Sequence, residues 1–543
     1  MNKRYLLILF LMSWIFFFYG LGDYSLKDPD EGRYAEIPRE MVESGDLIVP
    51  RLNYVRYFEK PPLFYWTVAG FYSVFGINEW SFRIPCALSA FFLVFLLYVF
   101  SKRWFGEKIA FFSSLILASS FGFFSMARIV TLDMFFTLWL SCSLFSFYGF
   151  YREKKPFYIY LFYICLALAT LTKGIVVIVL MLITIFIFLL TEKKLSFLKE
   201  IKPLGGAAIY LAITLPWFII ISVKEREFFY FFFIDQHFLR FFTSKHKRTG
   251  NILYFFPVLF GGLFPWSFFL PRAILNLWKR EGLRLFLIWS FVVFAFFSVS
   301  GSKLLPYILP IFPSLALIIG TLFGERDVSQ VNKRWELIPY CLFFAAISSI
   351  PFLLRSESFY SWAIEITGDT NRVIAEFKYF FIATSILSIL VLILMIFFNF
   401  SKNFRKVLFL LSGFSFLFVC GLMFHIHTLD KLNTTKNIAM VINKQKSPGD
   451  MIINYGSLDQ TLMFYTKQRI IIASYTGELD MGAKYDDARG YFISEEEFLR
   501  IARSDIKAFF VVKEKKLIYL KDRLFKGLRL IACMDDRCLF TNH

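Results

Sequence analysis

The sequence predicts a polytopic α-helical membrane protein with about thirteen spans, followed by an α/β domain outside the membrane. Three observations predict it. The composition is 57% hydrophobic and 21% aromatic, with 74 Phe and only 19% charged residues, whereas soluble domains are roughly 45–50% apolar with about 25% charge. Apolar runs long enough to cross ~30 Å of hydrocarbon recur through most of the chain. Basic clusters fall in every second connection between those runs, which is the positive-inside pattern. The net charge of +19 is spread over these short clusters. It is not pooled in one domain and no recognition module accompanies it, so nucleic acid is not an expected partner.

Taken in order, the spans begin near Tyr5, Phe82, Ile109, Leu132, Phe157, Gly174, Leu204, Leu253, Leu283, Leu304, Leu337, Lys378 and Val407. The first has the basic start and apolar stretch of a signal peptide, but no A-x-A-type cleavage site follows, so it is read as retained. With Lys3 and Arg4 inside, the connections 102–108, 152–155, 193–202, 279–284, 326–334 and 402–406 are cytoplasmic, and each is basic. The same alternation puts loop 22–82, the 128–133 turn, Lys173, loop 224–251, the 300–304 turn and everything from about His425 outside.

Charge rises after residue 427, and Ser447-Pro-Gly-Asp450 is a turn signal. Short apolar stretches at 451–455, 470–473 and 508–512 read as strands. The chain therefore divides into a transmembrane domain, 1–427, that includes loops 22–82 and 224–251, and an outer α/β domain, 428–543. Five of the seven Cys lie in spans and read as packing residues. Cys533 and Cys538 in the outer domain are open to either reading, a disulfide in an oxidising compartment or two free thiols. No CxxC metal spacing occurs.

Four outer elements carry unlike charges. The first loop supplies Asp28, Asp30, Glu31, Arg33, Glu36, Arg39, Glu59 and Lys60; the next turn, Arg128 and Asp133. Loop 224–251 supplies Asp235, His237, Arg240, Lys245, His246, Lys247 and Arg248; the last turn, Lys303 with Tyr307 just beyond. Carboxylates serve as bases or orient sugars, and Arg and Lys hold phosphate leaving groups. The combination suits group transfer from a phosphorylated lipid.

Each element also has a plainer reading. Asp28-x-Asp30 matches the short acidic motif of nucleotide-sugar enzymes, although nucleotide sugars are not expected outside the cell. Glu31 to Glu36 has a plainer reading as a solvated helix face after a cap-like Asp30. Arg128 could simply neutralise Asp133, whose carboxylate is costly in an apolar segment. Lys173 reads as a helix-end lysine extended to the interface.

Asp28-Pro-Asp-Glu-Gly-Arg-Tyr-Ala-Glu-Ile-Pro-Arg-Glu-Met41, then Ser44-Gly-Asp-Leu-Ile-Val-Pro50 and Tyr57-Phe-Glu-Lys-Pro-Pro-Leu-Phe-Tyr-Trp66, resemble the bacterial lipid A aminoarabinose (4-amino-4-deoxy-L-arabinose) transferases. These belong with the protein O-mannosyltransferase-like glycosyltransferases of the GT-C type. Arg128-Ile-Val-Thr-Leu-Asp133, the stretch 235–248, Phe264-Pro-Trp266 and Ser302-Lys-Leu-Leu-Pro-Tyr-Ile-Leu-Pro310 extend the resemblance over residues 1–320, and more loosely into the outer domain.

The resemblance implies a GT-C fold, an undecaprenyl-phosphate sugar donor, and lipid A or a similar acceptor at the outer face of the inner membrane, with membrane lipids around the helices. Carried over by position, Asp30 and Asp133 match the family's key carboxylates. Lys60 and Arg248 match residues that hold the lipid phosphate. Arg33, Tyr34, Tyr57, Glu59 and Tyr307 match cavity residues, with Arg128 and Lys303 as further candidates for the phosphate. Family members carry a zinc near Glu59 and a loop His, for which His246 is the candidate here. Asp30 acts as base toward a hydroxyl acceptor, or orients the sugar if the acceptor is a phosphate. Sugar transfer to protein and lipid transport are the competing functions.

Overall fold

The structure is a computed structural model that describes residues 2–239, 250–278, 280–325, 337–353, 356, 371–400, 404–425, 433–520, 527–534 and 536–543. It comprises two compact units, Met1–Gly20 with Ile84–His425, and Leu21–Arg83 with Ile426–His543.

The first unit is a helical bundle. Among the described residues eight helices are long and apolar enough to cross a membrane, and ten if each of two bent pairs is one span. The sequence reading of thirteen is not reached on length and composition. The runs beginning near Tyr5, Gly174 and Leu337 fall on helices Lys3–Phe18, Val176–Thr191 and Leu337–Leu353, of 16, 16 and 17 residues. At 1.5 Å per residue these are only about 24–26 Å long.

Both bends have local causes. Glu107–Ser119 and Phe121–Arg128 meet at 61°, where Ser119 and Ser120 turn their hydroxyls back onto the Leu115 and Ile116 carbonyls. Ile252–Gly262 and Ser267–Leu275 meet at 114°, across Pro265, which has no N–H to continue a helix. The two bends adjoin. Phe121 N–H donates to the Phe264 carbonyl at 3.1 Å, and Trp266 Nε1 donates to Ser119 Oγ at 3.0 Å. A Cβ on Gly122 would lie 2.8 Å from the Gly262 Cα, so this crossing requires glycine. Elsewhere the bundle packs on phenylalanine: Phe100 stacks on Phe145 at 4.3 Å and meets Phe286 edge-on at 5.6 Å, geometries favoured by the ring quadrupole.

The second unit joins the first loop to the C-terminal region. Its sheet has the order β5-β4-β3-β6-β8-β7, where β3 is Met451–Tyr455, β4 Ile471–Ala473, β5 Phe492–Ile493, β6 Ala508–Lys513, β7 Arg529–Met534 and β8 Arg537–Thr541. The first four are parallel, while β8 runs antiparallel to both neighbours. Ile453, Phe498, Phe510, Val512 and Phe540 lie in its core. The hairpin β1 (Arg51–Leu52) and β2 (Val55–Arg56) and the helices Asp30–Ser44 and Leu63–Phe75 come from the first loop. Sequence reading found three of the six strands; β5 is too short to show alternation, and β7 and β8 each open on an arginine with two aspartates between them. Cys533 and Cys538, paired across β7 and β8, form a disulfide.

Candidate active site

The first-loop charges sort by burial. Helix Asp30–Ser44 packs on the C-terminal region so closely that a Cβ on Gly32 would stand 2.6 Å from the Thr461 amide. Its inward carboxylates need cations. Glu31 takes two bonds from Arg83, at 2.9 and 2.8 Å, and Arg83 also donates to the carbonyls of Leu21, Tyr24 and Ser25. Glu36 takes two bonds of 2.7 Å from Arg39, and Glu40 accepts the Tyr54 amide at 2.8 Å. Burial, reinforced by Glu36, pushes the Glu40 carboxyl well above the usual range. The solvated-face reading of this helix is therefore replaced: Glu31, Glu36 and Glu40 are interior, and charge at these positions builds the unit.

Asp28 and Asp30 part company as well. Asp28 is buried, accepts the Thr461 amide at 2.8 Å and its hydroxyl at 2.7 Å, and lies 3.6 Å from Arg537. Arg537 in turn donates to buried Asp459 at 2.8 Å. Burial first, then Asp459, push the Asp28 carboxyl up to about 7. Asp30 at the helix start keeps 46% of its side chain exposed. Only the second carboxylate of the pair is presented outward, as chemistry on a substrate requires.

Arg33 sits one turn on. Its side chain is 5% exposed, and its two terminal nitrogens reach Asp30 at 3.4 Å and Glu478 at 2.7 Å. Its guanidinium carbon is 5.6 Å from the Tyr34 ring centre and 6.0 Å from that of Tyr57. Gln460 Nε2 donates to Glu478 at 2.6 Å. Burial raises the Glu478 carboxyl, Arg33 opposes that, and Glu59 adds to it. Tyr65 packs 6.3 Å from Tyr34. Glu59 and Lys60 are half-buried ahead of Pro61 and Pro62, with Lys60 Nζ donating to the Glu59 carbonyl at 3.1 Å. Asp30, Arg33, Tyr34 and Tyr57 are thus brought together. Sequence reading missed Tyr65, Gln460 and Glu478; the last two lie more than 400 positions along the chain, and no motif marks them.

The helical bundle holds its own cluster. Asp133 stands in the first turn of helix Leu132–Glu153, with Thr131 accepting its amide at 3.3 Å. Its carboxylate pairs with Lys173, at the end of helix Pro156–Lys173; the two side chains are 10% and 11% exposed. Lys173 Nζ is also 4.7 Å from the Tyr307 ring centre and 5.2 Å from that of Phe136. This corrects the sequence reading of Lys173 as an interfacial side chain. It also replaces Arg128 as the partner of Asp133: Arg128 instead donates to the carbonyls of Phe16, Tyr19 and Gly20. Lys303 donates to the carbonyls of Ser298 and Ser300 at 2.9 and 2.7 Å. Arg248 and His246 lie outside the described residues. Among the described residues no three His, Cys, Asp or Glu side chains are grouped as a metal would need.

The profile of the dolichyl-phosphate-mannose-protein mannosyltransferase family matches residues 59–220, and that of the aminoarabinose transferase C-terminal domain matches residues 438–535. An undecaprenyl phosphate-α-4-amino-4-deoxy-L-arabinose arabinosyl transferase of Shewanella sediminis is 29% identical, with 88% of each chain covered. A Proteus mirabilis transferase of the same name is 30% identical, with 69% of each covered. Among solved structures, ArnT from Cupriavidus metallidurans bound to undecaprenyl phosphate matches at a TM-score of 0.85 and 25% identity, covering 100% of this chain and 99% of the other. The chain is a membrane glycosyltransferase of the GT-C type and belongs to the family of the undecaprenyl phosphate-aminoarabinose arabinosyl transferases.

Proposed function

We propose that this chain moves 4-amino-4-deoxy-L-arabinose from undecaprenyl phosphate to lipid A, at the periplasmic face of the bacterial inner membrane. The observation that carries the reading is the likeness along the full chain to a transferase bound to undecaprenyl phosphate. In the reaction an acceptor oxygen attacks the anomeric carbon, and the sugar's bond to undecaprenyl phosphate breaks with its electron pair going to the phosphate oxygen. Lys60 and Arg248 hold that phosphate. A lipid A phosphate is already anionic at neutral pH, so no proton need be removed. Asp30 then faces the positive charge developing on the sugar, held on one side by Arg33. Toward a hydroxyl acceptor the same carboxylate would take the proton. Asp133, paired with Lys173, supplies the second carboxylate.

Mass spectrometry of lipid A from cells with and without the expressed chain tests the reading. The expected result is an added aminopentose on lipid A. An added sugar on a secreted protein instead would make the chain a protein glycosyltransferase, and neither product would favour a transporter. Accessibility labelling tests the orientation: cysteines at Arg152 and Lys333 are expected to react only from the cytoplasm, and one at Gly456 only from outside.

A further inference from the structure

Within the helical bundle, helices Pro156–Lys173, Val176–Thr191 and Pro203–Lys224 enclose a cavity of about 740 Å³, inside the ~300–1,000 Å³ range of ligand sites. Its walls are aliphatic and aromatic. The two hydroxyls among them are already engaged: Tyr163 donates to the Ile201 carbonyl at 3.1 Å, and Tyr210 to Thr170 Oγ1 at 3.0 Å. The cavity therefore offers nothing to a polar ligand and suits hydrocarbon. Along helix Val176–Thr191 the lining runs from Ile178 to Ile187, about 14 Å at 1.5 Å per residue. That is the depth of one leaflet, half of a ~30 Å hydrocarbon core. Leu182 and Phe186 line it and are still 61% and 51% exposed, so the cavity opens at the side of the bundle, where lipid lies.

One end of the cavity is cationic. Leu198, Ile201 and Pro203 line it, and Lys199 and Lys202 stand between them in the chain. The carboxylates of this connection are taken, Glu192 by Arg284 and Glu200 by Lys154. That leaves Lys193, Lys199 and Lys202 exposed and with no ion pair among the described residues. Lys202 Nζ is 5.5 Å from the Tyr160 ring centre, which holds its charge beside the first turn of helix Pro156–Lys173. We propose that the cavity binds an acyl chain of an anionic phospholipid of the cytoplasmic leaflet, with the lipid phosphate on Lys199 and Lys202. A neutral lipid would fill the same space and leave the lysines without a counter-charge; basic pockets between membrane helices hold anionic headgroups for this reason. The headgroup end is set apart from Asp133, whose partner Lys173 closes the opposite end of helix Pro156–Lys173. The choice of leaflet rests on the orientation proposed above, whereas the cavity and the sign of the headgroup do not.

The test is native mass spectrometry of the purified full-length protein in a neutral detergent, titrated with phosphatidylglycerol or with phosphatidylcholine of the same acyl chains. Phosphatidylglycerol is expected to fill one site about 30-fold more tightly than phosphatidylcholine, at ~1 kcal/mol for each of two lysines. The double variant Lys199→Gln/Lys202→Gln, changed only at exposed positions, is expected to bind phosphatidylglycerol as weakly as phosphatidylcholine. Ala207→Trp fills the cavity from an exposed position of its helix and is expected to lose both lipids at that site. Equal binding of the two lipids by the wild type would overturn the proposal, as would unchanged phosphatidylglycerol binding in either variant. Displacement of phosphatidylglycerol by added undecaprenyl phosphate would make the cavity part of the donor site and overturn it too. Reaction from outside of a cysteine at Arg152 would overturn the leaflet assigned. A chain that bound phosphatidylglycerol as expected but transferred no sugar would remove the proposed function and leave this site standing, so the two failures are distinguishable.

Discussion

Removing Lys173 separates structure from chemistry at Asp133. The two side chains are about one-tenth exposed and pair between the first turn of one helix and the last turn of another. Lys173→Met leaves the carboxylate buried without its cation, and removing one partner of a buried pair costs roughly 3–5 kcal/mol. Replacing both partners removes the uncompensated charge. Asp133→Asn added to Lys173→Met should therefore recover most of that loss, because an amide needs hydrogen bonds but no counter-ion. Thermal unfolding of the four proteins in one detergent gives the coupling directly. The single variant should melt well below wild type, and the double variant close to it. Sugar transfer by the stable double variant then decides the role of the carboxylate. An inactive but stable protein places Asp133 in the reaction, whereas full activity reduces it to half of an ion pair. A Lys173→Met protein that melts like wild type, or a double variant less stable than the single, would refute the reasoning, since the pair would then carry no weight.

Three further outcomes follow from the same geometry. Asp30→Asn should fold normally, since the side chain is nearly half exposed, and lose transfer; activity within a few-fold of wild type would remove it from the reaction. Lys60→Ala and Arg248→Ala should each lower turnover about 10²- to 10³-fold through the leaving phosphate, and Arg248→Lys should restore only part, because an ammonium lacks the planar fork; near-normal turnover would move phosphate binding to Lys303 or Arg128. Asp28, raised to about 7 by burial and by Asp459, binds its proton more tightly folded than unfolded. Its contribution to stability is therefore full below pH ~4 and is lost as pH rises through about 7, with Arg537 opposing that loss. Melting temperature should fall between pH 5 and 8, and Asp28→Asn should flatten the fall; an unchanged slope would assign the titration elsewhere.

The membrane class was legible because it depends on quantities local to the chain. A span must bury about twenty apolar residues, and the composition and basic alternation record that directly. Strands β3, β4 and β6 were legible for the same reason, as apolar runs between turn residues. Bends at Ser120 and Pro265 were not, because a bent pair and two spans have the same hydropathy. The first-loop motif pointed to the right region, but it could not say which of its charges were interior. Asp28 and Asp30 are two residues apart and chemically identical. Only the packing of helix Asp30–Ser44 on the C-terminal region buries the first and exposes the second. Likewise Lys173 is an ordinary helix-end lysine until the fold sets it against Asp133. Glu478 has no signal in the chain at all; it meets Arg33 because two segments separated by several hundred residues share one compact unit. Hydropathy and charge alternation are properties of a segment, so the sequence by itself determined them. Partner choice among buried charges depends on which segments exclude water together, and that was decided only in three dimensions.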